Sequence, residues 1–424
     1  MMKNVSARWM FALVSVLIIS AWTSADLKFA NAAPVRSVVP QNAARLAEPE
    51  HAAKAAEISD KAAAFLRAQQ DPTTGGWSVN PQAPAYPAIT ALALIGLAMD
   101  PTIDQTQPPT DLAIVNAVKF LMKYRQPDGG IYDRVLPSYN TAICLSALSR
   151  INTPEAKSAV KAGVEFLKGL QFGEGAVAYT GLGESAVAVT KDHPFYGGWG
   201  YGKHGRPDLS NTAWALDALH DCGVDSSDPA FQRALVFLGR TQMVGTLNDQ
   251  PYAKGSTQGG FIYATSVNKD NVGVGQSMAP EFEETLDDGT KVSRLRAYGS
   301  MTYAGFKSYI YAQLAKDDPR VRAAVGWMSR NYTLSENPGL GKNGLYYYYV
   351  TFAKALAANG QPMIDVQNSD GTTVRREWAK DLTERFAELQ RPDGSFEKMD
   401  ERWMEDNAVL TTAYSLVALR HAGR

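Results

Sequence analysis

The first residues in this chain able to do chemistry are an acid, an amide and a hydroxyl at the head of an apolar run. They are Asp208, Ser210 and Asn211, followed by Thr212 and then Trp214, Leu216 and Leu219. A carboxyl group at such a place can act as a general acid where burial keeps it protonated. The same residue types are the preferred N-caps of helices, and the dipole favours an Asp there. Asp208 therefore reads both as a candidate acid and as a cap. His204 and Arg206 lie just upstream. His204 and His193 are candidate bases. A second set, Asp393, Glu397, Asp400, Glu401, Glu405 and Asp406, spaces carboxylates as a glycosidase needs them. It reads equally as a solvated acidic face.

Other chemistries lack their residues. No set of His, Cys and Asp has metal-ligand spacing, so neither a metal nor a cofactor is expected. No phosphate-cradling loop or Ser-His-Asp signature appears. The net charge of −1 offers no basic face for nucleic acid.

The elements that must position Asp208 recur along the chain. A first helix ends in an apolar pair and a glutamine, as at Phe65-Leu66 with Gln70, Phe166-Leu167 with Gln171, and Phe237-Leu238 with Gln242. A glycine turn follows, as at Gly75-Gly76-Trp77, Gly197-Gly198-Trp199 and Gly259-Gly260-Phe261. Glycine suits such turns because they need positive φ. A second, almost wholly apolar helix then carries a threonine near its start: Thr90, Thr141, Thr212, Thr302, Thr351 or Thr412. Helices apolar on all sides are buried; the charged first helices belong outside. Six such units over residues 57–424 predict an all-α fold. It is an α/α toroid of six helical hairpins in two concentric rings, with an open solenoid as the alternative. Trp77, Trp199 and Phe261 are expected to plug between hairpins.

Three insertions break the spacing: 173–195, 243–297 and 361–376. The last reads as a β-hairpin around Asn368-Ser369-Asp370-Gly371, and Asp287-Asp288-Gly289 marks a second. Long loops on a rigid ring are where lids and binding loops sit.

The N-terminus reads as an export signal over 1–32. Lys3 and Arg8 precede a short apolar run from Trp9 to Trp22, with cleavage after Ala25 or Ala32. An uncleaved membrane anchor is the alternative. Residues 33–56 read as a linker. The protein is therefore expected in the periplasm or outside the cell. Its two cysteines, Cys144 and Cys222, sit three and ten residues after their repeat threonines. That offset is roughly 10 Å along a helix axis, too far for a disulfide.

The turns Gln390-Arg-Pro-Asp-Gly-Ser-Phe396, Gln126-Pro-Asp-Gly-Gly130 and Gln70-Asp-Pro-Thr-Thr-Gly-Gly-Trp77 resemble the QW motif of squalene and oxidosqualene cyclases. Protein prenyltransferase β subunits share this repeat. The resemblance covers essentially residues 57–424 and implies the toroid. It implies a site at an inner-helix start, where hopene-type cyclases carry Asp-x-Asp-Asp-Thr-Ala and the middle Asp protonates an alkene. Here the matching segment is Asp208-Leu209-Ser210-Asn211-Thr212-Ala213. Ser210 stands in the proton donor's place, and a hydroxyl is too weak an acid for that step. The prenyltransferase zinc set and the thioester of complement-like toroids have no counterpart.

The repeat threonines set a register for the ring's rim. Four positions earlier lie Tyr86, Pro137, Asp208, Tyr298, Tyr347 and Ala408. Two earlier lie Ala88, Tyr139, Ser210, Ser300, Tyr349 and Leu410. One earlier lie Ile89, Asn140, Asn211, Met301, Val350 and Thr411. A closed ring brings these together as a tyrosine-rich collar. Its expected wall is Tyr139, Asn140, Ser210, Asn211, Tyr298, Tyr347, Tyr349, Trp199 and His204, with Asp208 as the acid. Such a lining suits an apolar, isoprenoid-like or glycan ligand, taken up in transient contact with a membrane surface. A carbohydrate-active barrel with paired acids and a non-catalytic scaffold are the other readings.

Overall fold

The computed structural model describes residues 46–79, 84–180, 185–202 and 205–424. The export signal of 1–32 and most of the 33–56 linker lie outside the described residues. So does His204. Among the described residues twelve α-helices alternate between two rings. The outer helices are α1 (Pro49–Gln69), α3 (Leu112–Met122), α5 (Pro154–Leu170), α7 (Pro229–Thr241), α9 (Pro319–Arg330) and α11 (Trp378–Leu389). The inner ones are α2 (Pro87–Ala98), α4 (Pro137–Leu148), α6 (Leu209–Asp221), α8 (Gly299–Tyr311), α10 (Leu345–Asn359) and α12 (Ala408–Ala422). Each inner helix packs on the next, and α12 packs on α2, so the ring closes. The α/α toroid is observed and the open solenoid is not.

Helix α1 takes in the last eight residues of the expected linker, 49–56. Pro49 supplies its first position and the alanines at 52, 53, 55 and 56 extend it. Composition that looks like a spacer is here strong helix former.

The repeated residues have repeated jobs. The threonine hydroxyl accepts the backbone N–H of the residue closing the glycine turn: Thr90 from Trp77 at 3.0 Å, Thr141 from Ile131 at 2.9 Å, Thr212 from Trp199 at 3.0 Å and Thr302 from Phe261 at 3.1 Å. This ties turn to inner helix. The glutamine ties the turn to the next unit. Gln171 Nε2 donates to Gly197 O within its own turn and to Ala230 O on α7, both at 2.9 Å. Gln70 and Gln242 do the same. Gln390 donates to Gly394 O and, across the closure, to Ile58 O on α1.

Two turns show why glycine is required. Gly197 has φ +88°, and a Cβ there would lie 2.0 Å from Arg233 O on α7. Gly394 has the same φ and would place a Cβ 2.3 Å from Lys61 O on α1. Gly394→Ala is expected to cost more than about 2 kcal/mol, from left-handed strain plus displacement of α1. The urea midpoint measures it, and a midpoint equal to wild type would show that the closure tolerates a side chain.

Three antiparallel hairpins decorate the ring. They are β1 (Val177–Thr180) with β2 (Ser185–Ala188), β3 (Phe282–Thr285) with β4 (Lys291–Arg294), and β5 (Met363–Gln367) with β6 (Thr373–Glu377). The second and third coincide with the two Asp-Gly turns. The first arises in the Gly- and Ala-rich 173–195 insertion, where no hairpin was expected. Cys144 and Cys222 are both free thiols. No helix of the described residues is long and apolar enough to cross a membrane.

Candidate functional site

The interior of the ring is filled rather than open. On the inner helices nearly every residue is buried, and the exceptions lie on the last turns of α6, α8 and α10 and at the N-terminal ends. Tyr139, Ser210 and Tyr347 are half-buried there, and Tyr201 above them is 44% exposed. The accessible space is therefore a shallow mouth, where the notion of a deep cavity gives way to a floored one.

Four rings make the floor. Tyr139 meets Trp214 edge-on with centroids 6.5 Å apart. Trp214 lies 6.3 Å from Tyr347, and Tyr347 lies 6.2 Å from Tyr414. The Tyr347 and Ser210 hydroxyls are 2.9 Å apart. Burial pushes the Tyr139 phenol up to about 12 despite a hydrogen bond with Tyr414. Under the floor, Lys354 Nζ sits 5.2 Å from the Trp214 ring. Lys354 is ion-paired to Asp217 Oδ2, and Lys307 Nζ lies 2.6 Å from Asp217 Oδ1. All three are buried. Desolvation pulls Lys307 down to about 8, against the attraction of Asp217.

Asp208 is the N-cap of α6 and is fully buried. Its Oδ1 accepts from Asn211 N and its Oδ2 from Asn211 Nδ2, both at 2.8 Å. Arg206 Nη1 stands 3.9 Å away. Burial raises its carboxyl, while Asn211, Arg206 and Tyr263 pull it back; the net shift is upward. Asp208 thus caps a helix while buried near Arg206, Tyr263 and Tyr298. Tyr298, the N-cap residue of α8, is buried close enough to feel the charge of Asp208.

A second buried carboxyl sits against the start of α10. Glu405 is fully buried and its Oε1 accepts the Tyr347 N–H at 2.9 Å, capping α10 from outside the helix. Burial raises it to about 7, opposed by the Tyr347, Tyr346 and Leu345 amides. The other acids of its sequence cluster do not converge. Asp393 and Asp400 cap their own turns, and Glu397, Glu401 and Asp406 are exposed.

Several expected wall residues lie elsewhere. Tyr349 is fully buried with its hydroxyl on Leu334 O at 2.6 Å and its ring against Phe386, on the outer side of α10. The reason is register. Helix α10 starts six residues before Thr351, whereas α6 and α8 start three before theirs, and Thr351 bonds only within its helix. Tyr347 takes the mouth-facing place instead. Trp199 is fully buried and donates to Leu167 O at 2.7 Å, a plug between α5 and α6. Asn140 spends both ends of its amide, on Ala88 N and on Val135 O and Leu136 O. His193 accepts from Phe195 N away from the mouth. Tyr201, Trp214, Tyr263 and Tyr414 were not singled out as wall residues from sequence, and Glu405 was named only as one of six spaced acids. Of these, Trp214 and Tyr414 sit two residues after their threonines, one helical turn below the collar.

The rim carries exposed apolar groups: Val135, Leu136, Tyr201, Val267, Trp403 and Met404. Its loops are joined by Ser138 N to Tyr201 O and by Arg206 Nε to Val267 O. Among the described residues no group of three His, Cys, Asp or Glu could hold a metal ion.

Residues 102–268 match the family model of the squalene-hopene cyclase C-terminal domain. No curated protein matches the chain in sequence. Among solved structures, the type II terpene cyclase MstE from Scytonema, bound to its substrate geranylgeranyl dihydroxybenzoate, is 16% identical with TM-score 0.46, covering 88% of this chain and 98% of that one. A glycosidase is 12% identical with TM-score 0.43, covering 89% and 99%.

Proposed function

We propose that this chain is a member of the α/α-toroid superfamily of terpenoid cyclases and binds an apolar, isoprenoid-like ligand at the mouth of its ring. The observation that carries this is the half-covered floor of Tyr139, Trp214, Tyr347 and Tyr414, flanked by Asp208 and Glu405. Aromatic rings in edge and tilted contact offer π faces and little polarity to a polyene chain. The exposed apolar rim gives such a ligand a path from a membrane surface. An export signal would place the protein in the periplasm or outside the cell. The two raised carboxyls are the groups able to give up a proton there. Neither matches the cyclase donor position, which Ser210 occupies.

Farnesol titrated against intrinsic tryptophan fluorescence tests the reading. Tyr139→Ala is expected to weaken binding by roughly threefold to tenfold, the worth of one aromatic contact. Its circular dichroism should stay unchanged, because Tyr139 is only half-buried. Farnesol that fails to bind the wild type, or binds both proteins alike, sinks the proposal.

A further inference from the structure

A cleft of about 590 Å³ lies between β3, the end of α9 and residues 296–297. One wall comes from the 243–297 insertion, which the repeat itself does not need. That wall is held rigidly. Glu284 and Arg294 form a buried ion pair across the β3–β4 hairpin. Glu284 Oε1 also accepts from Ser256 Oγ and Thr257 N, both at 3.1 Å, and Arg294 Nη1 donates to Tyr252 O. The carboxylate lining the cleft is therefore already spent.

Two guanidinium groups in the same cleft have no carboxylate partner among the described residues. Gln258 grips the backbone on either side of Arg296, donating to Leu295 O at 3.0 Å and accepting from Ala297 N at 2.9 Å. Its own carbonyl receives Arg330 Nη2 at 3.0 Å. Arg296 and Arg330 are thereby set beside one residue. Arg296 lies 4.9 Å from the Phe282 ring centroid, and its buried Nε has no acceptor. Neither arginine forms an ion pair with a carboxylate among the described residues. Two planar forks without an anion, on a preorganised wall beside Trp327 and Phe282, match an oxyanion carried on a ring.

We propose that this cleft binds a sugar acid. Its carboxylate sits between Arg296 and Arg330, its ring edge lies toward Trp327 and Phe282, and Thr257 and Asn331 serve its hydroxyls. This site is separate from the mouth and does not depend on the ligand there.

Calorimetric titration of the purified full chain with D-glucuronate, D-glucose and inorganic phosphate tests it. Glucuronate is expected to bind, with glucose and phosphate at least about tenfold weaker, because each supplies only half of the recognition. Arg296→Gln and Arg330→Gln should each weaken glucuronate by about tenfold, the worth of a charge-assisted hydrogen bond. Arg322→Gln, on the exposed face of α9, should leave it unchanged. No heat with millimolar glucuronate overturns the proposal. So does glucose or phosphate binding as tightly, or a glucuronate affinity indifferent to both arginines in folded variants.

Discussion

Asp217→Asn is expected to destabilise the ring by about 3–5 kcal/mol, the cost of breaking a buried ion pair from one side. The neutral side chain leaves Lys307 and Lys354 facing each other in the plugged centre, both less than a tenth exposed. No other carboxylate is ion-paired to either lysine among the described residues. Lys307→Met is the contrasting variant. It leaves Asp217 paired with Lys354, one charge of each sign, and should be near neutral. Urea unfolding of both at pH 7 measures the difference. Equal losses would mean that Asp217 is not what holds the two lysine charges in place.

The same cluster has a pH signature. Lys307 titrates near 8 in the folded chain against an ordinary value of 10.5. Between those values the unfolded chain binds more protons, so stability rises with pH across the window. A shift of that size is on the order of 3 kcal/mol. The gain should appear in wild type and vanish in Lys307→Met. Buried tyrosines, whose phenols are raised, act the opposite way only above about pH 10.

The ring was legible in the sequence because its residues repeat with the same task. A glutamine that bridges units, a glycine that must sit against a neighbouring carbonyl and a threonine that takes a turn amide leave the same trace several times over. The two Asp-Gly hairpins announced themselves through their turns. The 177–188 hairpin did not, since its two strands are only four residues long and the residues between them hold no Asn-Gly or Asp-Gly pair to mark a turn. The site was legible only in part. Counting back from the threonine picked out Asp208, Ser210, Tyr139 and Tyr298, which the fold sets at or beside the starts of α4, α6 and α8. It misplaced Tyr349, because α10 starts early and shifts the count. Trp214 and Tyr414 escaped because a helix apolar on every side gives no hint of which side faces the axis. Glu405 was one acid among six, and nothing local distinguishes the one that folds inward.

That inward acid gives the sharpest test at the mouth. Glu405 is raised to about 7 from 4.5, by burial that its three backbone donors only partly offset. Between those values the folded chain holds more protons than the unfolded one. Its contribution is thus fully present below pH 4.5 and is lost as pH rises to 7. The loss should amount to roughly 3 kcal/mol. Glu405→Gln keeps an acceptor for the Tyr347 N–H and mimics the protonated acid, so its stability should stay flat over the range in which wild type declines. Urea midpoints at pH 5, 6, 7 and 8 for the two proteins give the comparison. Parallel curves would place the titration elsewhere and remove Glu405 as an acid at the mouth. Diverging curves would leave a carboxyl that is half-protonated at neutral pH, anchored to the backbone of the tyrosine that forms part of the floor. That is the condition a proton donor near pH 7 must meet.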